Sequence, residues 1–197
     1  MKKIFYAILP FLLMANSCYE DEMNRTIFIA DENNSSLPAY TEWGYNSFGA
    51  IYDRSFFLVS NSVTPCKITY DKGLLNFYLI GKINYDYNSS MVLKFSFPSQ
   101  PMNHFRDLTS LNNTTINPLE YNCSVTIEVN GIEDEVSLLS GSLTFKRVQL
   151  LKIDGEENRV ILSGLFELRF LKKGRPETIS DGRFDVGINN DFYRFPE

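Results

Sequence analysis

The chain's one histidine, His104, stands three residues before Asp107 in the stretch PMNHFRD. On one helical turn that spacing lets a carboxylate orient an imidazole, the arrangement general acid–base catalysis uses. Such a base needs a nucleophile, and no serine lies in a nucleophile-elbow pattern. A surface pair is the better reading of His104 and Asp107. Glu133, Asp134 and Glu135 supply three more carboxylates. Consecutive residues of a strand point to opposite faces, so they do not converge as an acid and a base. They suit a solvated sheet edge. A single histidine also excludes multi-histidine metal sites. No phosphate-cradling glycine loop, paired-cysteine zinc pattern or EF-hand spacing occurs, so no cofactor or metal is implied.

Binding chemistry is better represented. Tyr85 and Tyr87 flank Asp86 in the polar stretch INYDYNSS, and Trp43 and Tyr45 follow Tyr40 in a second cluster. Rings beside amides and carboxylates can hold a sugar or peptide by stacking plus hydrogen bonds. Trp43 has a competing use as a plug over the end of a β core. Cys66 and Cys123 each fall in phase with apolar neighbours, Ile68 in one case and Val125 and Ile127 in the other. That phase directs both thiols to the core, which fits either buried thiols, slightly preferred, or a bridge.

The elements that must position these residues alternate with period two. Met91, Leu93, Phe95 and Phe97 share one face; so do Phe166, Leu168 and Phe170, and Phe184, Val186 and Ile188. One apolar and one polar face is what a half-buried antiparallel strand requires. Asn130-Gly131, Asp154-Gly155 and Lys173-Gly174 separate such runs as tight hairpin turns. Asp181-Gly182 reads as a turn opening the last strand. Arg183 and Asp185 then point outward, with Phe184 inward. Gly141 and Gly164 each follow Leu-Ser at the head of a long strand, where a bulge is expected. Met102 to Leu111 is the best helix candidate. The fold class is all-β: an antiparallel β-sandwich or partly open β-barrel of nine to eleven strands, built from meander hairpins.

Composition supports one such domain. The chain has 197 residues, 44% of them hydrophobic and 14% aromatic. Its net charge of −5 argues against nucleic acid as a partner, because nucleic-acid binders carry a basic face.

The N-terminus reads as an address. Lys2 and Lys3 precede an apolar run from Ile4 to Met14, too short for a permanent span. Ala15-Asn16-Ser17 then leads to Cys18. Small residues before one cysteine resemble a bacterial lipobox, although Ala15 stands where Leu is usual. The resemblance implies cleavage after residue 17, lipid on Cys18 and membrane attachment through it. Loss of Lys2 and Lys3 leaves 17 basic against 24 acidic residues, a net charge of −7. Glu20, Asp21 and Glu22 resemble the signal that sends Bacteroidetes lipoproteins to the outer face of the outer membrane; a periplasm-facing anchor is the alternative. The expected organisation is a signal peptide over 1–17, a polar tether over 18–39 and one all-β domain over 40–197.

Three further stretches carry a resemblance. They are Asn46-Ser47-Phe48-Gly49, then Ser163-Gly164-Leu165-Phe166-Glu167-Leu168, then Ile179-Ser180-Asp181-Gly182-Arg183-Phe184-Asp185-Val186. In this order, behind a lipoprotein signal, they resemble an uncharacterised family of Bacteroidetes surface lipoproteins. Its patterns run N-T-F-G, S-G-T-F-E-F and I-T-D-G-R-F-D-V. Leu165 replaces the usual Thr, and Ala50 stands where many relatives have Cys. The resemblance implies location and fold, and no catalytic residue. The expectation is a lipid-anchored envelope protein, non-catalytic, that binds a glycan or protein ligand. A structural subunit assembling through a sheet edge is the alternative.

Overall fold

A computed structural model describes residues 23–60, 64–84, 86, 88–120, 122–190 and 193–194, with no side-chain account of the last two. The expected signal peptide, Cys18, Tyr85 and Tyr87 lie outside the described residues.

The hairpin signals become hairpins. The first strands are β1 (Ser47–Tyr52), β2 (Ser55–Leu58), β3 (Cys66–Asp71), β4 (Leu74–Ile83) and β5 (Ser90–Pro98). A 3-10 helix (Phe105–Leu111) leads to β6 (Thr114–Ile116), β7 (Ser124–Val129) and β8 (Ile132–Glu135). The long strands β9 (Ser137–Ile153), β10 (Glu156–Lys172) and β11 (Arg175–Ile188) follow, then β12 (Tyr193–Arg194). Asn130-Gly131, Asp154-Gly155 and Lys173-Gly174 all take positive φ at both residues, as does Lys72-Gly73 between β3 and β4. That is the type I′ turn whose twist matches the strands it joins.

All twelve strands described belong to one sheet, in the order β6-β9-β10-β11-β1-β2-β4-β5-β7-β8. β3 pairs with β4, and β12 with β3 in parallel; every other pairing is antiparallel. The ends β6 and β8 do not pair, so the sheet is not closed into a barrel. It folds over on itself instead. Phe77 of β4 meets Phe145 of β9 at 5.6 Å and Phe184 of β11 at 5.1 Å between ring centres. Phe95 of β5 faces Phe166 of β10 at 6.1 Å. These rings, with Leu75, Leu93, Leu143 and Leu162, make the one apolar core. Its alternating residues are those the period-two pattern singled out.

Gly164 marks a bulge, as expected of it, facing the extra residue Lys146 on β9. The β9–β10 register slips between Ser163 and Gly164, and a Cβ there would lie 2.0 Å from the Thr144 carbonyl oxygen. Asp181-Gly182 corrects its expectation. These residues sit inside the continuous strand β11, and Asp181 is a bulge rather than a turn, with φ +53. Both neighbours slip there: Phe166 pairs with Gly182 but Leu168 with Ile179, and Gly49 with Arg183 but Ile51 with Ser180. The positive φ that made Asp-Gly look like a turn serves the bulge equally well.

The helix is also shorter and tighter than Met102 to Leu111. Its turns are 3-10, and Met102, Leu108 and Leu111 are buried in the core.

Candidate functional site

β9, β10 and β11 place Arg147, Ser163 and Asp185 side by side, because Ser163 pairs with Arg147 on one side and Asp185 on the other. Ser47 of β1 pairs with Asp185 beyond. This row lies on the face away from the phenylalanine core.

Asp185 was expected to point out, and it does leave the core, but it is not exposed. Only 2% of its surface reaches solvent. Residues 41–45 coil over it. Its Oδ2 accepts from the Thr41 hydroxyl at 2.5 Å and from the backbone N–H groups of Trp43 (3.1 Å) and Tyr45 (3.2 Å). Its Oδ1 accepts from the Gly44 N–H at 2.8 Å and the Ser163 hydroxyl at 2.9 Å. Three successive N–H groups aimed at one carboxylate form an anion-binding concavity, here filled by the protein's own side chain.

The described part of the stretch read as a tether, residues 23–39, is docked beside this loop. Asn46 joins the two: its Nδ2 donates to the Met23 carbonyl at 2.9 Å, and its Oδ1 accepts from the Gly187 N–H at 2.9 Å. Arg159 donates to the same Met23 carbonyl at 2.6 Å. Asp31 pairs with Arg183 at 2.6 Å. The N–H groups of Asn33 and Asn34 also bind the Asp31 carboxylate and, with Arg183, hold it below its ordinary range. Leu37 is wholly buried, and Ala30 bridges Pro38. A Cβ on Gly49 would strike the Pro38 ring at 2.4 Å, so this strap lies flat on β1.

The coiled loop aims the Trp43 side chain outward, 73% exposed. Trp43 is therefore not a plug. It borders an open cleft of about 490 Å³ lined by Tyr40, Thr41, Glu42, Trp43, Arg147 and Gln149. The cleft's polar groups are tied to one another. Tyr40 donates its hydroxyl to Glu42 at 2.9 Å, and Gln149 Nε2 donates to the Glu42 carbonyl at 2.8 Å. Arg147 Nε donates to Gln149 Oε1 at 3.1 Å and lies 3.6 Å from Glu42 Oε2. Partial burial, with the Glu42 carboxylate beside it, pushes the Tyr40 hydroxyl well above its usual pKa. It stays a hydrogen-bond donor throughout the neutral range. An indole on a fixed backbone, among oriented donors and acceptors, can stack on an apolar ring face and bind its polar rim.

Tyr45 belongs to the loop's backbone ties and does not line the cleft. Arg147 and Gln149 escaped the sequence reading. Their signal was present: two polar residues, two apart in FKRVQLL, share the outer face of β9.

The other sites singled out resolve differently. Asp107 is a cap: its Oδ2 accepts the backbone N–H groups of Asn103 at 2.8 Å and His104 at 2.9 Å. Glu133, Asp134 and Glu135 lie on β8, a terminal strand of the sheet, as expected. Cys66 and Cys123 are both free thiols. Cys66 is buried, which drives its pKa up; Cys123 stands just before β7 and is only partly covered. Asp86 closes the β4–β5 loop by accepting from the Asn88 N–H and the Ser89 hydroxyl. No family model matches the chain, and no curated protein or solved structure matches it significantly, so the cleft is read from its own geometry.

Proposed function

We propose that this chain is a non-catalytic glycan-binding module, held in a bacterial envelope by lipid on Cys18. The observation that carries the binding reading is Trp43: a large, exposed ring whose backbone is locked by a buried carboxylate. A backbone ordered before the ligand arrives leaves only the side-chain torsions to be fixed on binding. The planar faces of pyranose rings suit an indole, and Tyr40, Glu42, Arg147 and Gln149 offer the donors and acceptors that hydroxyl groups need. The lipid rests on the apolar run ending at Cys18, and outward placement rests on Glu20, Asp21 and Glu22.

Trp43 is the chain's only tryptophan, so it reports on itself. A panel of soluble oligosaccharides is titrated while Trp43 emission is followed. The expected result is a saturable change with at least one oligosaccharide. By calorimetry Trp43→Ala weakens that binding about tenfold, near the worth of one stacked ring. Its melting temperature stays unchanged, as for other exposed positions. A flat emission across the panel rejects the glycan.

The alternative, assembly through a sheet edge, looks to β9, which pairs with β6 only at 143–145 and leaves Ser137–Ser142 with β10 as its one partner among the described residues. Leu139 is exposed there, at a slip of register between β9 and β10. A bulge of that kind discourages a new strand from adding, which favours capture over assembly.

A further inference from the structure

Ile27, Phe28 and Ile29 leave 44%, 43% and 44% of their surfaces in solvent. Elsewhere the strap is tied down through Asp31 and Leu37, and the described fold makes no comparable use of these three side chains. Their backbone is nonetheless fixed. Ile27 N–H donates to the Tyr45 carbonyl at 2.8 Å, and Ala39 N–H donates to the Ile29 carbonyl at 2.6 Å. The apolar run is thus tied to the Trp43 loop and to the strap's own returning arm.

Its place in the chain names its occupant. The described fold begins at Met23, whose carbonyl is held by Arg159 and Asn46. Cys18 is five residues earlier, a reach of at most about 17 Å even fully extended. Ile27 is four residues beyond Met23, at most about 14 Å away. A lipid on Cys18 therefore keeps the Met23 corner, with the patch beside it, close to the bilayer. A mature net charge of −7 gives the domain no attraction to anionic headgroups. Apolar contact is the attraction left to it.

We propose that Ile27, Phe28 and Ile29 form a seat on the bilayer that carries the Cys18 lipid, fixing how the domain stands on the membrane. The seat rests on the lipid-anchor reading. Because Ile27 is bonded to Tyr45, it also sets the Trp43 loop near the headgroups.

The test uses the full lipidated chain in neutral phosphatidylcholine vesicles with brominated acyl chains. Trp43→Phe removes the native tryptophan. In that background Phe28→Trp puts a reporter on the patch, and Ile132→Trp puts one on the exposed edge strand β8. The expected result is a blue shift and at least threefold stronger quenching at position 28 than at 132. Equal quenching at both, in protein that still floats with the vesicles, overturns the seat and leaves the anchor standing. If Cys18→Ala floats as the wild type does, the anchor falls and the seat falls with it.

Discussion

Over residues 184–188 β11 is buried on both faces, by opposite means. Phe184, Val186 and Ile188 point into the fold and are covered by rings and aliphatic chains. Asp185 points the other way and is covered as completely, by hydroxyl and N–H groups from residues 41–45 and Ser163. Apolar burial is non-directional and tolerates approximate shapes. Burial of a carboxylate requires each donor in place, because an unmatched charge in a dry site costs several kcal/mol. The inner face holds the sheet together, and the outer face holds one loop in one conformation. The cleft stands on the second.

Substitutions on neighbouring residues separate the two. Phe184→Ala has the largest expected effect, a loss of about 3–5 kcal/mol. Urea unfolding measures it, and a loss under about 1 kcal/mol would mean that the core does not depend on the Phe77–Phe145–Phe184 cluster. Asp185→Ala comes next, at about 2–3 kcal/mol, the cost of stranding donors to a charged group. Its signature is local: the amides of Trp43, Gly44 and Tyr45 lose hydrogen-exchange protection while those of β4 and β5 keep theirs. Uniform loss of protection would show that the two faces are one cooperative unit, and the comparison would fail.

The smallest effect concerns pH. Asp31 sits below its ordinary value of 3.8, chiefly through the Asn33 N–H, with help from the Asn34 N–H and Arg183. A carboxylate whose folded pKa is depressed stabilises the fold fully above its unfolded pKa, and that contribution is lost as pH falls through the folded value. Strap amides at 33 and 34 should therefore exchange relatively faster, after correction for intrinsic rates, as pH drops from about 5 to below about 3.8. Asp31→Asn should flatten that dependence. An unaltered profile in the variant would assign the acid sensitivity to another carboxylate.

The inner face was legible from the start, because apolar alternation is a local signal: Met91 to Phe97 and Phe184 to Ile188 announce their own burial. Tight turns were legible where two special residues separated two alternating runs. Asp181-Gly182 misled because a positive φ at Asp serves a bulge as well as a turn, and the slip in pairing depends on β1 and β10. Asp185 misled for a related reason. Four of its five donors come from residues 140 or more positions earlier, and nothing near it in sequence says that they will arrive. For Trp43 the sequence offers two uses, ligand contact and, favoured there, a plug over the end of the β core. The coil around Asp185 aims it the other way. Of the cleft, Tyr40 and Trp43 were found as aromatics, while Arg147 and Gln149 looked like the plain outer face of a strand.

The span between Thr41 and Asp185 also sets an order of events. A ribosome delivers the strap well before β11, yet the strap, the coiled loop and β1 all find partners on β11. Until then β9 and β10 can form their hairpin from neighbouring residues, whereas the strap can meet β1 and Arg159 but lacks its ion pair with Arg183. A nascent chain released before β11 would keep its hairpins and lack its cleft. Quality control that senses an incompletely docked strap would thus be sensing whether synthesis had passed β11.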